Sequence, residues 1–321
     1  MKQKIIIAIA LMAVMLVPLW AQTEADFTVT LTSDGQGAVI TGYKGSVMAV
    51  RIPATIQGMP VREISRNVFA GKGITSVEIP ESVTEIVENS FLRCRLLTTV
   101  TLPKSLTSIG KNAFALSGLT SIVIPEGITV IRSTTFESCG DLTNVTLPST
   151  ITEIGAGAFF ECMTLRTINF PDGLTTIGDA AFAKCYELSA ANLPRGLTTI
   201  GEDAFAACIA LSTVNLPQSL TSIGNNAFGS SGLTSLVIPE GITVIGEDVF
   251  RQCPKLTSVT LPSTITGIGT AAFRYCTSLT TVTIPESVKT IRFGRESFIG
   301  STNINLASQA ALKRVGYTEG F

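Results

Sequence analysis

Apolar positions return along this chain on a fixed beat. In a unit such as Leu256 to Phe273, apolar side chains stand at Leu256, Val259, Leu261, Ile265, Ile268, Ala272 and Phe273, with Ser, Thr and Gly between them. An apolar residue followed by Pro marks each unit, at Pro80, Pro103, Pro125, Pro148, Pro171, Pro194, Pro217, Pro239, Pro262 and Pro285. Phe keeps the same rhythm at Phe69, Phe91, Phe114, Phe136, Phe159, Phe182, Phe205, Phe228, Phe250 and Phe273, each marker stepping by 22 or 23 residues. Two residue types sharing one period means that the whole unit is repeated. A period of roughly 20 to 29 residues predicts a solenoid, in which one turn cannot bury its apolar face without its neighbours.

Within a unit, Leu256–Pro262 is the strand candidate: it is rich in β-branched residues and ends at Pro, with Val259 and Leu261 pointing inward. Ten or so such turns predict a parallel sheet, at about 4.8 Å per strand a body of order 50 Å long. The second apolar set, Ile265, Ile268, Ala272 and Phe273, lines the opposite wall through short irregular or helical segments. Residues 22–60 depart from the repeat. Phe27–Leu31 alternates, Asp34-Gly35-Gln36-Gly37 is a turn cluster and Ala38-Val39-Ile40 resumes an apolar run, which predicts a β-hairpin cap over the first turn. Residues 61–300 form the solenoid, and 301–321 a C-terminal cap in which Asn305 starts a helix over Leu306–Arg314 that Gly316 stops. Leu306, Ala310 and Leu312 are expected to cover the last turn. A longer repeat is superimposed: Pro125–Ile131 returns as Pro239–Ile245 at an offset of 114 residues, which points to duplication of a five-unit block.

A solenoid lengthens by adding turns, so 321 residues imply one elongated body. The 45% apolar and 15% charged composition suits a continuous interior and argues against disorder. Lys2 and Lys4, an apolar run from Ile5 to Val17 and Pro18-Leu19-Trp20-Ala21 read as a secretory signal peptide over residues 1–21, cleaved after Ala21 or, alternatively, Ala25. The run is shorter than the ~20 residues that span a bilayer, and no later stretch approaches that length. Losing Lys2 and Lys4 leaves 21 basic against 24 acidic residues, so nucleic acid is excluded as a partner.

Seven cysteines in an exported chain invite a disulfide reading, but Cys94, Cys139, Cys162, Cys185, Cys208, Cys253 and Cys276 each fall three residues after a repeat Phe. They are one structural position recurring. A small thiol suits a buried corner of a turn, whereas a straight row makes neither a tetrahedral metal site nor a good disulfide torsion, and the chain has no His. The units at Phe114 and Phe228 carry Ser117-Gly118 and Ser231-Gly232 instead, and these have the 22-residue step.

The joint register of Leu, Pro, Phe and Cys, of LxxLxLPxxLxxIxxxAFxxC character, resembles the BspA-like (TpLRR-type) bacterial leucine-rich repeats over roughly residues 50 to 300. The resemblance implies a leucine-rich-repeat solenoid with a parallel sheet on one face, and an exported, often surface-associated protein acting through protein contacts, in some cases adhesion to host matrix or other cells. It brings no catalytic, cofactor or metal residue. Absence of His and of any phosphate loop agrees with a non-enzyme.

In such repeats two strand positions face outward. The first row is Ser76, Thr99, Ser121, Asn144, Thr167, Ala190, Thr213, Ser235, Ser258 and Thr281; the second is Glu78, Thr101, Val123, Thr146, Asn169, Asn192, Asn215, Val237, Thr260 and Thr283. Thr is at home on a half-exposed sheet, but Asn is not. Asn169, Asn192 and Asn215, with Thr167, Asp172, Arg195, Thr213 and Gln218, are therefore the candidate patch for a host or envelope protein. A ladder of stacked amides is the structural alternative. A periplasmic structural or carbohydrate-binding module is the competing function, although this face lacks the aromatics that glycan sites recruit.

Overall fold

The structure is a computed structural model that describes residues 22–321. The signal-peptide reading of residues 1–21 lies outside the described residues. From residue 49 onward the chain winds as a parallel β-solenoid of about 11 turns. Each turn contributes a strand of two or three residues before its Pro, from Ala49–Arg51 and Ser76–Glu78 through Ser258–Thr260 to Thr281–Thr283. A second ladder of two-residue strands runs along the other wall, as at Val130–Ile131, Glu153–Ile154, Thr176–Ile177, Thr199–Ile200 and Ser222–Ile223. Both ladders pair in register at the repeat spacing, so Val259 meets Val282 and Ile154 meets Ile177. Val259, Leu261, Ile265, Ile268, Ala272 and Phe273 are all buried, placing both apolar sets of the unit inside. Between the ladders the second wall is built of tight turns and short strands.

The turns are held in register by a column of rings. Eleven phenylalanines from Phe69 to Phe298 are fully buried, and consecutive rings lie 5.0 to 5.7 Å apart. Their planes are nearly parallel, within 2 to 17°. Phe298 joins the column although its step from Phe273 is longer than the beat. Offset stacking of this kind adds about 0.5–1.5 kcal/mol per pair beyond burial.

The backbone around each ring explains the local sequence. Residues two before and two after each Phe are left-handed, as at Asp203 and Ala207 with φ of 55° and 59° around Phe205. This alternation aims every second N–H along the stack: Asp203, Phe205 and Ala207 donate to the carbonyls of Asn225, Ala227 and Gly229 in the next turn at 2.9, 2.7 and 2.7 Å. Left-handed backbone costs about 1–2 kcal/mol per non-glycine residue, which the inter-turn bonds and the ring column offset.

The seven thiols are free and buried. Each Sγ–H donates to the carbonyl of the Phe one turn back, for example Cys162 to Phe136 and Cys208 to Phe182, both at 3.2 Å. Ser301 takes the same role toward Phe273 at 2.8 Å. In the short units the Ser hydroxyl instead meets the following thiol, Ser117 to Cys139 at 3.2 Å and Ser231 to Cys253 at 3.3 Å. The Gly beside each Ser has a steric cause. A Cβ on Gly118 would lie 2.4 Å from the carbonyl oxygen of Arg95, and one on Gly232 would lie 2.3 Å from that of Ile209.

Both ends are closed. Strand β1 (Phe27–Leu31) pairs antiparallel with β2 (Ala38–Tyr43), and β2 runs parallel to Met59–Ile64, continuing into the second ladder. Phe27 and Tyr43 extend the ring column, each spacing 5.3 Å but tilted by about 45°, and the Tyr43 hydroxyl donates to the Val47 carbonyl. At the other end helix α1 (Leu306–Arg314) is capped by Asn305, whose Oδ1 accepts from the Ser308 N–H at 2.8 Å. The expected covering residues require correction, because Leu306 is 83% exposed and Ala310 is exposed; of the three only Leu312 is buried. The stack side of the helix is Ser308, Leu312 and Val315, an i, i+4, i+7 stripe. Ser308 belongs to it because the last strand presents an N–H needing an acceptor, and its Oγ accepts from Val282 at 3.0 Å.

Removing one ring from the middle of the column, Phe205→Ala, is expected to destabilise by about 3–5 kcal/mol, read as a lower urea midpoint with retained far-UV circular dichroism below it. Burial pushes the Cys94 and Cys139 thiols up to about 11 and Cys208 up to about 12. No thiol should react with Ellman's reagent at mild pH, and all seven should react in denaturant. Above the ordinary thiol value of 9.0 an unfolded chain loses protons that the folded chain retains, so stability should fall as pH rises from 9.0 toward about 11.

Candidate protein-docking face

The strand before each Pro places alternate side chains on the outer surface, because successive residues of a strand point to opposite faces. Five of the eight candidates, Thr167, Asn169, Asn192, Thr213 and Asn215, occupy those outward positions, and Asp172, Arg195 and Gln218 lie in the turn just after each Pro. Thr167, Asn169 and Asp172 occupy one turn, Asn192 and Arg195 the next, and Thr213, Asn215 and Gln218 the third, and every one of these side chains is exposed. The structure thus gathers them on three adjacent turns in the middle of the solenoid.

The strands at this place are cut short. Thr167–Ile168, Ala190–Ala191 and Thr213–Val214 have two residues where Ser121–Val123 or Ser258–Thr260 have three, and the missing third position is the Asn. The sheet on this wall is interrupted between Thr167–Ile168 and Ala190–Ala191, and again after Thr213–Val214. The poor strand propensity of Asn accounts for the shortened strands; the breaks do not track it, since the same wall is also interrupted between Thr99–Thr101 and Ser121–Val123.

The amides do not form a ladder. Among the described residues, Asn169, Asn192 and Asn215 make no side-chain hydrogen bond, while nearby Arg166 pairs with Glu187 and Ser189 and Ser212 bond to backbone. The solenoid does bond amides along the stack elsewhere: Asn112 Nδ2 donates to the amide Oδ1 of Asn89 at 3.1 Å, and Asn226 Nδ2 to the carboxylate Oδ1 of Asp203 at 2.5 Å. Those side chains sit beside the ring column and serve the fold. The three on the strand face make no such bond among the described residues. Asp172 and Arg195, at one position on neighbouring turns, likewise form no ion pair among the described residues, whose pairs lie elsewhere.

Two residues that sequence reasoning passed over share this face. Val123 is 66% exposed and Val237 is 64% exposed, in the row that otherwise carries Thr, Asn and Glu. Each sits in a short unit, and the two are 114 residues apart. Val123 opens on a shallow groove bordered by Thr101, Leu102, Lys104, Leu147 and Pro148. Their signal was in the sequence: an apolar residue in an outward row, twice, at the period of the block duplication. Beside each, a Glu reaches along the stack. Glu126 accepts from the Ser149 N–H and hydroxyl, and Glu240 does the same from Ser263, which holds the Glu240 carboxyl below its ordinary value.

A family model described as the BspA type leucine rich repeat region, in six copies, matches residues 62–189 and again 175–305. Among curated proteins none matches. Of solved structures, a leucine-rich repeat protein from Bacteroides ovatus is similar at 25% identity and a TM-score of 0.61, over 87% of this chain and 80% of that one. A leucine rich cell surface protein from Faecalibacterium prausnitzii is similar at 28% identity, over 94% and 98% of the two chains, with a TM-score of 0.48. The T. pallidum leucine rich repeat protein shares 24% identity over 92% and 96%, with a TM-score of 0.34.

If the strand-face asparagines serve no folding purpose, exchanging all three for Thr should leave the chain equally stable or raise its melting temperature. Each site is expected to contribute a few tenths of a kcal/mol at most, measured by thermal circular dichroism. A substantial loss of stability would instead assign these amides to the fold.

Proposed function

The chain belongs to the BspA-type leucine-rich-repeat family, and on that premise we propose that it is an exported, non-enzymatic protein that docks another protein on its strand face, in adhesion to host matrix or to other cells. Leucine-rich-repeat proteins are generally non-enzymatic scaffolds for protein–protein interaction. The observation that carries the reading is the run of three exposed, unpartnered amides on adjacent turns, set in a face whose other positions suit a plain sheet.

An amide offers both donors and acceptors, so three of them at strand spacing match the alternating groups of another protein's surface. A polar face of this kind favours a hydrogen-bonded, wet interface over a greasy one. The periodicity of the repeats supports a non-enzyme, since a catalytic site would demand local departures from it. The basic and then apolar opening of residues 1–21 supports export, and no helix among the described residues is long and apolar enough to cross a membrane.

Surface plasmon resonance against a panel of extracellular-matrix proteins, with wild type beside the Asn169→Ala, Asn192→Ala, Asn215→Ala triple variant, tests the face. The variant should bind at least about tenfold more weakly, with circular dichroism unchanged. Equal binding by both would remove the patch. Proteolysis on intact cells should cleave the chain if it is displayed outside them.

A further inference from the structure

We propose that the partner this face fits is a second copy of the same chain, docked face to face with its strands pointing the same way and its stack running in the opposite direction. The inference rests on the reading of the strand face as a docking surface, and it names the occupant.

A two-fold contact requires a surface that is its own complement: what one copy offers at a distance from the axis must suit what the other offers at the same distance. The outward rows have this symmetry about a point midway between the turns of Asn169 and Asn192. With the axis there and parallel to the strands, Asn169 faces the partner copy's Asn192 position, Thr146 faces Asn215, Val123 faces Val237 and Thr101 faces Thr260. In the first row Asn144 opposes Thr213 and Ser121 opposes Ser235. Amides thus meet amides or hydroxyls, and hydroxyls meet hydroxyls. The two exposed valines, Val123 and Val237, meet each other across the contact.

Charge follows the same symmetry where it matters most. In the position after each Pro, Asp172 and Arg195 are equidistant from the axis, so the contact forms two Asp172–Arg195 pairs between copies. Within one copy both are exposed, and neither is in an ion pair among the described residues. Glu126 would oppose Glu240, but both carboxylates are turned along the stack onto Ser149 and Ser263 and need not face each other.

The face is also long enough. Eight turns at about 4.8 Å, and a width of about 15 Å, give about 600 Å² per copy, or about 1,200 Å² in total. That is the lower limit of specific interfaces, so the contact is weak for one pair of molecules and gains strength when many copies face one another across two surfaces.

The purified chain tests this by sedimentation equilibrium from ~1 to ~500 µM. A monomer–dimer equilibrium is expected within that range. Asp172→Arg sets Arg against Arg twice and should weaken the dimer at least about tenfold; adding Arg195→Asp restores opposite charges and should recover affinity to within about threefold. Val123→Glu should weaken it without rescue by the charge swap. All three positions are exposed, so circular dichroism should be unchanged. A chain that stays monomeric throughout, or a double variant as weak as the single, overturns the inference. The docking reading is then judged separately: it survives if the asparagine-to-alanine variant still loses binding to matrix proteins, and fails with the inference if it does not.

Discussion

Everything in this molecule depends on successive turns presenting the same ring at the same depth. Between the two ends of the column each Phe stacks on two others, and its backbone N–H and those two residues away bond into the next turn. One interaction therefore fixes three things together: the 22-to-23-residue period, the left-handed residues on either side of the Phe, and the buried corner where Cys or Ser must sit. A turn that changed its ring position would lose stacking on both sides and strand its polar backbone groups, which are costly to bury unpaired. The stack behaves as a one-dimensional crystal whose units are stable only through their neighbours.

The same logic explains the ends and the two short turns. A column of aromatic rings and a set of one-directional N–H groups must terminate somewhere. At the start the tilted Tyr43 and Phe27 rings close it with a hydroxyl directed to the Val47 carbonyl. At the finish Tyr317 lies edge-on to Phe298 and the Glu319 carboxylate accepts the Glu296 N–H at 2.7 Å. The short turns drop a residue from the Cys corner, and the chain then passes so close to the turn before it that only Gly118 and Gly232 fit. A loop cannot be shortened there by deletion alone; the residue left behind must also lose its side chain.

Function has to be written where the stacking rule does not reach. The inward positions are committed to the column and its two walls, and the flanking turns to backbone bonds along the axis. The outward strand positions are free to vary, since their side chains meet only solvent and their lateral neighbours. Departures from plain strand chemistry collect there and in the turn beside it: three asparagines at the ends of shortened strands, two exposed valines, and an Asp and an Arg that form no ion pair among the described residues. These amides, which gain no bond within the described part of the fold, are the ground on which the docking face is proposed.

The amino-acid order by itself determined the solenoid, its period, the inward set, the single recurring Cys position, the hairpin and the bounds of the terminal helix, because each depends on a repeated apolar register or on local capping chemistry at residues such as Asn305 and Gly316. It also located the outward asparagines, since strand alternation is a local rule. Only the tertiary structure decided the rest. The ring column, the thiol-to-carbonyl bonds and the reason for Gly118 and Gly232 all involve atoms one turn apart, more than twenty residues along the chain. The helix face keeps Leu312 but turns Leu306 and Ala310 outward, because Ser308 answers a strand N–H from Val282, a demand invisible in the helix's own pattern. Whether the asparagines bonded to one another or stood free was likewise a question of inter-turn geometry, and the same residue type does both in this chain: laddered at Asn89 and Asn112 beside the rings, unpartnered at Asn169, Asn192 and Asn215 on the strand face.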